Sequence, residues 1–252
     1  MNSILRFSGI LSTLLLFVIF TGNHINDEPP VPTLQNHPQP NPLVATGQPG
    51  ESDFTPLFNG KNFDGWYSFI PEFGRNNDPD QVFNVKDEMI YITGRHFGYI
   101  ATEKIYRNFH LKLEFKWGEE KWPPRLEEKR DSGICYHFPD EAADEVWPVS
   151  VECQIQEGDT GDFWLIGHTT IEVDGEANEP QDFARIVKKH DMDKPHGSWN
   201  TIEVISYEGS NTHIVNGVVV NHGENASVQT GRILLQSEGA EIYFRNVKLK
   251  EL

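Results

Sequence analysis

DSGICYHFPDEAADEVWPVSVECQIQEGDTGDFW, Asp131 to Trp164, is the stretch around which the rest of the chain is organised. It holds two strand-like runs, DSGICYHF and VSVECQIQ, each followed by acidic or glycine-bearing loop sequence. In the second run Val149, Val151, Cys153 and Ile155 alternate with Ser150, Glu152, Gln154 and Gln156. Side chains on a strand point to opposite faces with a period of two, so one face is apolar and the other carries a glutamate and two amides in a row. Residues i and i+2 are roughly 6.5–7 Å apart along a strand, a spacing that suits the hydroxyl groups of a sugar as well as it suits a solvated face.

In the first run Ile134 and Tyr136 share one face, and Gly133, Cys135 and His137 the other. Pairing the two strands with their apolar faces together puts His137 on the same polar surface as Glu152. A glycine at 133 removes a side chain there and leaves room for a ligand. A carboxylate, an imidazole and amides on one sheet face are the equipment for acid–base chemistry on a polar ligand.

LFNGKNFDGW (Leu57–Trp66), DSGI at Asp131–Ile134, VECQIQEGDTGDFW, WNTIEV (Trp199–Val204), VNG (Val215–Gly217) and the closing GRILLQSEGAEIYFRNVKLKEL stand in order along the chain. Together they resemble the 3-keto-disaccharide hydrolase domain family. The resemblance covers about residues 53 to 252. It implies an all-β, concanavalin A-like jelly roll of two antiparallel sheets, and activity on oxidised glycosides in secreted or periplasmic bacterial proteins.

The run Glu152-Cys-Gln154-Ile-Gln156-Glu157 is also similar to the E-x-D-x-x-E signature of laminarinase-type glucanases, in which the first glutamate is nucleophile and the last acid/base. Gln154 stands where that signature has an aspartate, and Glu157 has the wrong parity for the shared face unless a bulge intervenes. This argues against the usual pair of carboxylates for retaining hydrolysis. A ketone at C3 instead acidifies the C2 hydrogen, so a single base can start an elimination that releases the aglycone. Glu152 is the first candidate for that base and His137 the second. Gln154, Gln156 and Asp131 are expected on substrate, Arg125 or Lys112 on the ketone, and Trp122, Trp147 and Trp164 against sugar rings.

The chain of 252 residues carries a formal net charge of −17, which argues against nucleic acid or an anionic membrane surface as partner. Arg6 precedes an apolar run from Phe7 to Phe20, the pattern of a secretory leader over residues 1–22. The run is short for a spanning helix, but with no clear cleavage site an uncleaved leader stays open. Residues 23–52, rich in proline and asparagine, read as an extended linker to a domain over 53–252.

The domain reads as successive strands. Phe109, Leu111, Leu113, Phe115 and Trp117 alternate with His110, Lys112, Glu114 and Lys116, hairpins are expected at Lys86–Glu88 and Asn216-Gly217, and one short helix in the polar stretch after Pro180. Cys135 and Cys153 fall on opposite faces and are expected unbonded. No cofactor is expected. Glu157, Asp159 and Asp162 offer hard oxygen ligands that could hold calcium, although their spacing matches no complete loop signature. The competing reading is a non-catalytic carbohydrate-binding module, since lectins share the sandwich.

Overall fold

The computed structural model describes residues 53–252, so the expected leader and linker lie outside the described residues. Eighteen strands and no α-helix occur among those residues. In chain order they begin β1 (Thr55–Pro56), β2 (Trp66–Ile70), β3 (Gly74–Arg75), β4 (Phe83–Lys86), β5 (Met89–Ile92) and β6 (Gly98–Thr102). The middle group is β7 (Phe109–Lys121), β8 (Asp131–Phe138), β9 (Ser150–Gln156), β10 (Phe163–Ile166), β11 (Glu172–Val173) and β12 (Glu176–Ala177). The last are β13 (Phe183–Ile186), β14 (Asn200–Tyr207), β15 (Ser210–Val215), β16 (Val218–Gly223), β17 (Arg232–Ser237) and β18 (Ala240–Glu251).

One sheet runs β16-β15-β14-β7-β18-β5-β4 with β1 on β18, and the other runs β13-β10-β9-β8-β17-β6-β2-β3. Every pairing is antiparallel, as the expected jelly roll requires. The inner faces carry the core. Phe109, Leu111, Leu113, Phe115 and Trp117 of β7 are all buried, as are Ile134, Tyr136, Val151, Cys153 and Ile155 of β8 and β9 in the same cluster. Each Val, Leu, Ile or Phe side chain among them contributes about 1.5–3 kcal/mol by leaving water. Asn216 and Gly217 both have positive φ, 50° and 83°, which a two-residue type I′ turn demands between β15 and β16.

Three expectations need correction or refinement. The polar stretch after Pro180 forms no helix; Phe183–Ile186 pairs with β10 as the edge strand β13. His137 does not join Glu152. Phe138 pairs with Arg232 and Tyr136 with Ile233, which leaves His137 as the extra residue of a bulge with φ of 61°. The bulge shifts parity by one: Phe138 takes the outer face against Tyr99, and His137 turns inward to Ser206, Nε2 to Oγ 2.7 Å. Cys135 and Cys153 are unbonded on opposite faces, and Cys135 is buried rather than open to the outer surface.

The loop between β8 and β9 lies over the outer face of the second sheet. Asp144 anchors it, accepting from the Tyr99 and Tyr67 hydroxyls at 2.6 and 3.1 Å and from Arg75 at 2.7 Å. Asp140 pairs with Arg232 at the loop's start. These ties place Trp147 over the strands that carry the site.

Candidate active site

Registration of four strands builds a cavity of about 420 Å³ on the outer face of the second sheet. In the β8–β9 ladder Asp131 lies opposite Gln156, Gly133 opposite Gln154 and Cys135 opposite Glu152. On the other side of β9, Trp164 of β10 lies opposite Glu152, and beyond it Phe183 pairs with Ile166. Directly cross-strand residues share a face. Arg125, Trp147 and Glu238 complete the lining together with Asp131, Glu152, Gln154, Gln156, Trp164, Ile166 and Phe183.

The charge balance is uneven. Asp131, Glu152 and Glu238 are all buried, and the one guanidinium among them is Arg125, 2.8 Å from Asp131 and 3.8 Å from Glu238. Burial, partly offset by Arg125, pushes Asp131 up to about 6. Burial and then repulsion from Asp131 push Glu238 up to about 7, against the opposing pull of the Trp147 N–H, which donates to Glu238 Oε1, and of Arg125. Glu152 is driven well above the ordinary carboxylate range, first by burial and then by Glu238 and Asp131. Desolvation disfavours the charged form, and like charges in one site disfavour it again.

Glycine 133 makes room for this arrangement. A Cβ there would lie 2.0 Å from Glu152 Oε1 and 2.1 Å from Gln236 Oε1. The Glu152 carboxyl thus sits over the bare backbone beside a buried amide that has no hydrogen-bond partner of its own. Gln154 Oε1 accepts from the backbone N–H of Ile155 at 3.0 Å, which leaves its amide N–H groups for the cavity. Gln156 donates to Asp131 Oδ2 at 2.6 Å, so Asp131 is held by Gln156 and Arg125 together.

Six expected residues fall elsewhere. His137 is in the interior, where burial lowers it to about 4 and keeps it neutral. Lys112 projects from the other sheet and meets Glu203 at 3.4 Å. Glu157 keeps the parity that excludes it from the face, because the β8–β9 ladder carries no bulge; it pairs with Arg130 at 3.0 Å. Trp122 does not line the cavity; it lies beneath Arg95, 5.6 Å from the ring centroid. Of the suggested calcium ligands, Asp159 and Asp162 are bound by Arg185 at 3.0 and 2.5 Å. Among the described residues no group of three or more histidine, cysteine or acidic side chains is arranged around a common point for a metal.

Glu238, Phe183 and Ile166 were not anticipated. Glu238 follows β17 in an S-E-G-A turn outside any alternating run, where only the glycine at 239 (φ 84°) marks a tight bend. Phe183-Ala-Arg-Ile186 gives no clean apolar–polar alternation, because Phe183 shares the exposed face with Arg185, so β13 carries little local signal.

The fold recurs in solved structures. A protein from Parabacteroides distasonis assigned as a glycosyl hydrolase is 24% identical, with a TM-score of 0.56 over 80% of this chain and 94% of its own. A second such protein from that organism is 21% identical, with a TM-score of 0.54 over 79% and 99%. A carbohydrate-binding module from Bacillus subtilis superposes with a TM-score of 0.52 at 9% identity, covering 74% and 96%. At these identities the likeness is one of fold. No curated protein matches the chain. The model of the 3-keto-alpha-glucoside-1,2-lyase-like domain matches residues 53–250, and the chain belongs to that family.

Proposed function

We propose that the cavity cleaves 3-keto-glucosides by elimination across C1 and C2. One carboxylate removes the C2 hydrogen, made acidic by the C3 ketone. As the C1–O bond breaks, a C1=C2 double bond forms and the departing oxygen takes a proton from a second carboxyl. The products are an enone sugar and the free aglycone alcohol, and addition of water across the double bond completes a net hydrolysis.

The observation that carries this reading is the set of three carboxyls around one cavity with a single arginine. Elimination needs a base and an acid at the same time, and efficient proton transfer wants their pKa values near the working pH. Glu238, at about 7, suits the base. Glu152, held neutral by burial, suits the acid at the departing oxygen. This reverses the role first expected for Glu152 while keeping it at the reaction. In this reading the amide N–H of Gln154 polarises the ketone, and Arg125 with Asp131 holds a neighbouring hydroxyl.

A purely binding module gains nothing from concentrating acids that destabilise one another, which disfavours that alternative. The apolar run from Phe7 to Phe20 supports export of the domain. Incubation with a 3-keto-disaccharide and with its unoxidised parent, followed by chromatography of released monosaccharide, tests the proposal. Release from the oxidised sugar alone is expected; equal release from both, or binding without release, contradicts it.

A further inference from the structure

The cavity lining changes character across the sheet. Asp131, Glu238 and Arg125 gather on the β8 and β17 side, whereas Trp164, Ile166 and Phe183 come from β10 and β13. Trp147 spans the two, with its N–H on Glu238 and its ring edge-to-face with Phe183 at 5.8 Å. Glu152, directly opposite Trp164, stands at the boundary. Phe183 and Trp147 remain 48% and 37% exposed. Large rings left open at a cavity mark a surface that meets a ligand.

That wall presents no exposed side-chain donor to a ligand. The Trp147 N–H is taken by Glu238, and the Trp164 N–H, although unpartnered, is buried away from the open surface. Ile166 and Phe183 carry no polar side-chain atom. Arg185, opposite Trp164 in the ladder, is engaged by Asp159 and Asp162. A second sugar ring would bring hydroxyls against groups that cannot pair with them, at the cost of losing their water. A flat apolar ring meets only favourable surface there.

We propose that this wall is an aglycone subsite and that it selects 3-keto-glucosides bearing an aromatic aglycone over those bearing a second sugar. The orientation, sugar toward Glu238 and aglycone toward Phe183, rests on the elimination reading, since it puts the departing oxygen beside Glu152.

The test separates binding from turnover. Unoxidised methyl α-glucoside, benzyl α-glucoside and a glucosyl-glucose disaccharide are titrated by calorimetry, and their 3-keto forms are assayed for release. Benzyl and methyl alcohols are leaving groups of similar basicity, so a difference between them reports contact rather than bond strength. The benzyl compound should bind about tenfold or more tightly than either of the others, and its 3-keto form should show a similar advantage in kcat/KM. Phe183→Ala, a change at a half-exposed edge position, should cut the benzyl-to-methyl ratio to about threefold or less. Equal affinity for benzyl and methyl, or tightest binding of the disaccharide, overturns the inference even where elimination is seen. Selective benzyl binding without turnover of any 3-keto compound supports the subsite and overturns the elimination.

Discussion

The indole N–H of Trp147 donates to Oε1 of Glu238, which ties the loop after β8 to the turn after β17 across the mouth of the cavity. A hydrogen bond to the ionised form lowers a carboxyl's pKa, and this one opposes the burial that raises Glu238. Trp147→Phe keeps the ring and removes the donor. A hydrogen bond to a charged group contributes about 1.5–3 kcal/mol, so the acid limb of the kcat/KM profile should move up by about one pH unit or more. An unmoved limb would show that Glu238 is not the base.

Glu238 should also limit stability at neutral pH. Its folded pKa of about 7 lies above its ordinary value of 4.5. The stabilisation of the protonated form is therefore fully present below about pH 4.5 and is lost as the pH rises through 7. Asp131, raised to about 6, acts in the same direction. Glu238→Gln escapes this loss and should be more stable than the wild type by roughly 2–3 kcal/mol at pH 8, or roughly 5–10 °C in Tm. Near pH 4 the two proteins should melt together. A variant that melts lower at both pH values contradicts this assignment.

Because His137 points into the core, its replacement should be a stability change alone. Asn tolerates the positive φ at this position but loses the ring packed 5.6 Å from Phe109. His137→Asn should cost about 2 kcal/mol in denaturant unfolding and leave the pH profile of kcat unchanged. A displaced profile would return His137 to the reaction.

Gly133→Ala should have the opposite signature. The added methyl would occupy the space of the Glu152 carboxyl, which must move. Misplacing a reacting group by about 1 Å costs roughly a hundredfold in rate. A fall of that order in kcat, with Tm changed by only a few degrees, is expected from parallel kinetics and thermal unfolding.

Much of this arrangement was legible in local sequence because strand alternation is local. The β7 pattern from Phe109 to Trp117 and the Val151–Gln156 pattern of β9 both correspond to the faces observed. His137 was misplaced because its bulge is set by pairing with Arg232 and Ile233, nearly a hundred residues further along. Glu238 was missed for a related reason. It belongs to the site through a turn that only the sheet order brings beside Asp131, and nothing near it in the chain marks it as buried. Lys112 alternates correctly on β7, yet its strand lies in the other sheet, a distinction that alternation does not encode.

In the proposed elimination Glu152 transfers a proton in the bond-breaking step. The direct measurement is single-turnover release of aglycone from a 3-keto-glucoside by Glu152→Gln at pH 7, with folding verified by an unchanged circular dichroism spectrum and a Tm no lower than that of the wild type. Glutamine keeps the shape and removes the exchangeable acid. Release slowed by about a hundredfold or more is the predicted result, in line with the loss of one general acid; release at the wild-type rate would contradict the account.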